Sequence, residues 1–110
     1  MARLTTHVLD TSRGTPAAGL TVVLEMRSGA GWTSIGSRST DAQGRVGNFS
    51  DGQPSSGTYR LTFDTGAYHR GAGVTPFFPD VTVTFEVQSG THYHVPLLLS
   101  PFGYSTYKGT

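Results

Sequence analysis

The sequence predicts an all-β protein, an antiparallel β-sandwich of seven to eight short strands with one short helix. Three observations point there. Several segments of the 110 residues alternate apolar and polar side chains with a period of two. Clusters of turn-forming residues separate those segments, drawn from 15 Gly and 6 Pro together with many Ser, Thr and Asp. Only 14% of residues are charged against 35% hydrophobic, which suits neither a coiled coil nor an acidic disordered chain.

Taken in order, Arg3 to Asp10 is a first strand rich in Thr, Val and Leu, stopped by the Gly and Pro cluster of Thr11 to Gly19. Leu20 to Ser28 places Leu20, Val22, Leu24 and Met26 on one face and Thr21, Val23, Glu25 and Arg27 on the other, as in a half-buried strand. After a break at Gly29-Ala-Gly31, Trp32 to Thr40 is a weaker strand, and Asp41-Ala-Gln-Gly44 is a tight turn with Arg45 just beyond it. Asn48 to Gly57 is a polar loop, and Thr58 to Phe63 resumes the alternation.

Asp64 to Arg70 is the one helical stretch, with Asp64 as cap and Gly71 as stop. Val81 to Gln88 alternates cleanly, and Ser89-Gly90 before the next strand is a hairpin signal. In Thr91 to Ser100 the alternation sets Tyr93, Val95, Leu97 and Leu99 against His92, His94, Pro96 and Leu98. Pro96 lacks an N–H and prefers an edge or a bulge. Leu98 shares its face with His94, so that face is neither plain core nor plain solvent, and it reads as an interface. Tyr104 to Thr110 supplies a last short strand.

At 11.7 kDa, residues 1–110 make a single domain. A chain of this size buries only roughly 65% of its unfolded surface, which leaves little volume for a deep private pocket and favours a shared one. Eight Lys plus Arg against seven Asp plus Glu give a net charge of +1, too little to favour nucleic acid or anionic lipid. There is no Cys, hence no disulfide or thiolate chemistry. Met1 to Leu9 lacks the pattern of a secretory signal and no apolar run approaches a membrane span, so the expectation is a soluble, cytoplasmic protein.

Four His are the candidates for acid–base work near neutrality: His7, His69, His92 and His94. His69 and His92 have no feature that lifts them above ordinary surface or core residues. The i, i+2 spacing of His92 and His94, with His7 as a third ligand, offers a weak zinc pattern without HExxH. No GxSxG or phosphate-binding loop is present. Arg45, between Gly44 and Gly47, has a planar donor fork suited to a carbonyl or an anion, and equally the position of a solvated turn charge.

Three segments resemble the transthyretin-like 5-hydroxyisourate hydrolases: Leu4-Thr-Thr-His-Val-Leu-Asp-Thr11, Asp41-Ala-Gln-Gly-Arg45, and the long stretch from His92-Tyr-His94 to Tyr107-Lys-Gly-Thr110. Tyr59-Arg-Leu-Thr-Phe-Asp-Thr65 and Phe77-Phe-Pro79 also fit, so the likeness runs through the chain in order. The resemblance implies a transthyretin-like (prealbumin-like) sandwich that hydrolyses 5-hydroxyisourate to a carboxylated ureidoimidazoline on the way to allantoin, with no metal or other cofactor. It implies His7, Arg45 and His94 as catalytic residues. His7, Arg45, Tyr107 and Thr110 are the implied substrate-binding residues, with the site at the dimer–dimer interface of a homotetramer. The family's terminal Tyr-Arg-Gly-Ser reads Tyr107-Lys-Gly-Thr110 here, which keeps a hydroxyl at Thr110 and exchanges a bidentate fork for a point charge at Lys108. The alternatives are a non-enzymatic ligand-binding module on the same fold and a zinc hydrolase using His7, His92 and His94.

Overall fold

The computed structural model describes residues 3–49 and 54–110. Residues 1 and 2 of the expected N-terminal reading, and 50–53 of the expected polar loop, lie outside them. The elements run β1 (Leu4–Asp10), β2 (Thr15–Pro16), β3 (Thr21–Ser28), β4 (Gly31–Ser39), β5 (Arg45–Val46), β6 (Gly57–Phe63), α1 (Thr65–Gly71), β7 (Val81–Val87), β8 (Tyr93–Ser100) and β9 (Gly103–Thr106). Two sheets stack as a sandwich. The first has the order β2-β1-β8-β9, with β5 also pairing β1, and the second the order β4-β3-β6-β7.

The period-two pattern decides what lies between the sheets. Leu4, Thr6, Val8 and Asp10 of β1 are buried while Thr5, His7 and Leu9 are half-buried on the opposite face. From the second sheet Val22, Leu24, Tyr59, Leu61 and Phe63 point inward and meet Val95, Leu97 and Leu99 of β8. Full burial of a side chain such as Leu61, Phe63 or Leu97 stabilises the fold by about 1.5–3 kcal/mol each. The outer face of the second sheet is polar. There Arg60 Nε donates to Glu25 at 2.7 Å, and Arg27 and Arg60 lie 5.1 and 4.1 Å from the Trp32 ring centre.

Four expectations need correction. The Ser89-Gly90 turn does not close a hairpin: β7 pairs β6 in one sheet, while β8 pairs β1 and β9 in the other. The five residues 88–92 are enough to cross between layers. The sandwich is also not wholly antiparallel, because β1 and β8 run parallel from Leu4↔Tyr93 to Asp10↔Leu99. Local alternation carries no information about strand direction.

Pro96 lies in an interior strand rather than at an edge. The carbonyls of Tyr93, Val95 and Leu99 accept bonds from β1 and the residue after it, whereas those of His94 and Pro96 accept from Gly109 and Thr106. The missing N–H of Pro96 therefore faces the point where the β9 ladder, which ends at Leu97↔Thr106, has stopped. Finally, Asp64 caps α1 as expected, accepting from Ala67 N–H at 3.3 Å, but the helix runs through Gly71. The left-handed residue that turns the chain away is Gly73, at φ +76°.

α1 is tied back to β1 by one buried carboxylate. Asp10 accepts from the Tyr68 hydroxyl at 2.8 Å, from the Ser12 hydroxyl at 2.7 Å, and from the backbone N–H groups of Ser12 and Arg13. Burial alone would raise its pKa, but these bonds outweigh that and hold it below the usual carboxylate value.

A candidate active site on the outer face of the first sheet

Three strands bring the polar residues of interest to one face. On β1 the outward positions are Thr5, His7 and Leu9, and on β8 they are His94, Pro96 and Leu98. The parallel register sets Thr5 beside His94 and His7 beside Pro96. On the other side of β1, Arg45 of β5 stands directly opposite His7.

Arg45 owes its position to the turn before it. The Asp41 carboxylate accepts from the N–H groups of Gln43 and Arg45, both at 2.9 Å, and Asp41 N–H donates to the Arg45 carbonyl at 3.0 Å. Gly44 closes the turn at φ +77°, and a Cβ there would lie 2.3 Å from the Val8 carbonyl oxygen. Gly44 O in turn accepts from Val8 N–H at 2.8 Å. The turn is thus fastened to the β1 edge, and Arg45 leaves it exposed, with no carboxylate paired to its guanidinium among the described residues.

The two histidines are held by different partners. His7 Nε2 lies 2.9 Å from the Gln43 carbonyl oxygen. A carbonyl only accepts, so Nε2 carries the proton and Nδ1 is the bare nitrogen of the neutral ring. His94 Nδ1 lies 2.8 Å from Thr5 Oγ1. Burial, reinforced by electrostatic repulsion from His7, Arg45 and His92, pushes the His94 pKa below the ordinary imidazole value. His94 is therefore a neutral base at pH 7, in a setting where any negative charge formed nearby meets the Arg45 guanidinium.

A cleft of about 310 Å³ opens here, lined by Thr5, Arg45, His92, His94 and Thr110 among others. His7 flanks it through its pairing with Arg45. Thr110 arrives because the chain after β9 runs along the uncovered edge of β8, where Gly109 N–H donates to the His94 carbonyl at 2.7 Å. Tyr107 is placed elsewhere. It is exposed and borders a separate apolar groove of about 260 Å³ with Val83, Phe85 and Tyr93, where Lys108 Nζ lies 5.8 Å from the Tyr93 ring centre. Of the residues singled out from sequence, Arg45, His94 and Thr110 line the cleft, His7 adjoins it, and Tyr107 does not reach it.

The catalytic set expected from sequence leaves out His92, which lines the cleft and entered only as a ligand of the zinc alternative, because nothing in its local pattern separates it from a surface His. It also leaves out Thr5, whose alternation with His7 signals the shared face but whose neighbour across the sheet depends on the parallel register. His69 is buried in α1, away from the cleft residues, with Nε2 unpartnered among the described residues. No three His, Cys, Asp or Glu side chains converge in a metal-binding group among the described residues, so His7, His92 and His94 do not form the ligand set of the zinc alternative.

A β-sandwich with a basic, imidazole-bearing cleft on the outside of one sheet is the class of protein that the fold and site define. Within that class the chain belongs to the HIUase/Transthyretin family, whose model matches residues 4–109. It is 46% identical over 111 residues to the probable 5-hydroxyisourate hydrolase ZK697.8 of Caenorhabditis elegans, covering 99% of this chain and 82% of that one. It is 46% identical over 123 residues to the uric acid degradation bifunctional protein TTL of Arabidopsis thaliana, covering 97% of this chain but only 37% of that larger protein. The solved 5-hydroxyisourate hydrolase of Klebsiella pneumoniae superposes with a TM-score of 0.90 at 39% identity, covering 99% of this chain and 100% of that one.

Proposed function

We propose that this chain is a cofactor-independent 5-hydroxyisourate hydrolase of urate degradation, opening the ring to 2-oxo-4-hydroxy-4-carboxy-5-ureidoimidazoline on the way to allantoin. The observation that carries the reading is the meeting of Arg45, His94 and His7 on one sheet face in a chain so similar to relatives bearing that name.

The residues divide the work by their chemistry. Water adds to the ring carbonyl carbon, giving up a proton to the neutral His94 imidazole. Arg45 meets the oxygen on which negative charge develops, a contribution of about 3–4 kcal/mol for one well-placed donor. The C–N bond then breaks as the leaving nitrogen takes the proton that His94 accepted, which returns the imidazole to its neutral form, with His7 orienting the attacking water. Thr110 contributes a hydroxyl to the substrate edge.

The cleft is shallow and open, and Leu9 and Leu98 lie half-buried on the same face. Both features support a homotetramer in which the site is completed between dimers, and a cytoplasmic location belongs to the same proposal. The decisive experiment follows the ultraviolet decay of freshly made 5-hydroxyisourate. Acceleration over the spontaneous rate is expected, and a rate within twofold of wild type for variants at His7, Arg45 or His94 overturns the assignment. Light scattering tests assembly, a fully active monomer being the contrary result, and fractionation of cells tests location.

A further inference from the structure

His94 is gripped on two sides by residues that take no part in the chemistry assigned above. Thr5 Oγ1 lies 2.8 Å from Nδ1 and 3.4 Å from the Tyr93 carbonyl oxygen. The hydroxyl has one proton, and the carbonyl accepts only. Both contacts are satisfied when Thr5 donates to the Tyr93 carbonyl and accepts from Nδ1–H, which leaves Nε2 as the bare nitrogen. On the other side Gly109 passes so close that a Cβ on it would lie 2.6 Å from His94 Cδ2 and 3.2 Å from Cγ, while its N–H bonds the His94 carbonyl. Backbone without a side chain covers the ring there and keeps it from turning.

We propose that Thr5 and Gly109 are positioning residues that act through His94, fixing both the tautomer and the orientation in which Nε2 serves as base. The titratable and charged groups facing this ring are His7 from β1, Arg45 from β5 and His92 from the connection before β8. No Asp or Glu side chain lines the cleft among the described residues to hold the ring in place of Thr5. The task a carboxylate or carbonyl often performs for a working histidine thus falls to a neutral hydroxyl, which orients the ring without raising its basicity. The proposal rests on the hydrolase reading for its kinetic consequence but not for its structural one.

The experiment pairs nitrogen-15 NMR of the imidazoles in the free full-length protein with 5-hydroxyisourate decay kinetics on Thr5→Val, Thr5→Ser and Gly109→Ala. Wild type and Thr5→Ser are expected to show His94 protonated at Nδ1 when neutral. Thr5→Val is expected to shift the ring toward the other tautomer and to lose tenfold to a hundredfold in kcat, with KM within about threefold and Thr5→Ser within threefold of wild type in both. Gly109→Ala is expected to move the His94 resonances and lower kcat while the sandwich keeps its thermal midpoint within a few degrees. Should Thr5→Val fold poorly, Thr5→Ala, which only removes atoms, carries the same expectation. A folded Thr5→Val or Thr5→Ala with the wild-type tautomer and kcat overturns the proposal, as does a wild-type His94 protonated at Nε2. If wild type fails to accelerate the decay, the hydrolase reading falls, and the NMR result still decides what Thr5 does.

Discussion

His7 and Arg45 stand directly opposite one another across the two-residue pairing of β1 with β5, the imidazole bonded to the Gln43 carbonyl of the very turn that presents the arginine. One residue steadies the loop that aims the other. Their contributions are therefore coupled, and the double variant is expected to lose less than the product of the two single losses.

Arg45→Lys keeps the charge and loses the planar fork. It is expected to lower kcat/KM by about tenfold to a hundredfold, and Arg45→Ala by about 10²–10³-fold, the range of a lost oxyanion donor. Because the side chain is exposed, thermal unfolding is expected to be unchanged within about 0.5 kcal/mol. Steady-state kinetics beside a melting curve checks both.

The acid limb of the pH–rate profile is expected below the ordinary imidazole value, because His94 titrates low. Removing a neighbouring cation relieves part of that depression. The acid limb of Arg45→Gln, measured as relative kcat/KM against pH, is therefore expected to move upward, and a limb that stays put contradicts the assignment of His94 as the titrating base.

Stability has its own pH dependence, set by Asp10. Its folded pKa is depressed, so its stabilisation is present above the unfolded carboxylate value near 3.8 and is lost as pH falls through the lower folded value. The low folded pKa of His94 acts in the same direction, since the unfolded chain binds its proton more readily and stability declines as pH drops through the ordinary imidazole range. Asp10→Ala removes the acceptor for four donors and is expected to cost about 2–4 kcal/mol near neutral pH, and Tyr68→Phe about 1–2 kcal/mol. Urea unfolding at pH 7 and pH 3 is the measurement; equal losses for Asp10→Ala at both would contradict this account.

Gly44→Ala tests the turn. It forces a side chain into a left-handed conformation against the Val8 carbonyl, so a loss of about 1–3 kcal/mol is expected together with a fall in kcat/KM, although residue 44 carries no functional group. Unfolding and decay kinetics on one preparation show whether the two losses travel together.

Much of the fold was legible because alternation writes burial directly into the chain: Arg3 to Asp10, Leu20 to Ser28, Thr58 to Phe63 and Val81 to Gln88 all hold strands, and the last three turn the expected faces inward. What alternation leaves out is partnership. Ser89-Gly90 has hairpin chemistry yet joins two different sheets, and Thr15–Pro16 and Arg45–Val46 are too short to leave a periodic signal. The site followed the same division. His7, Arg45 and His94 were named through resemblance, whereas Thr5 and Gly109 meet His94 only through a parallel register spanning 89 residues and a close backbone passage, neither of which is encoded nearby.

That register has a consequence for how the protein is born. In the first sheet β1 leaves the ribosome before its central partner β8, with β2 to β7 and α1 made between them. Until Tyr93 to Ser100 has emerged, Leu4, Val8 and the outward row of Thr5 and His7 have no central neighbour. The nascent chain must carry β1 with one edge open until β8 has been made, and the cleft becomes possible only then. A chain cut short before β8 is expected to lack the cleft and to expose a strand edge that favours aggregation.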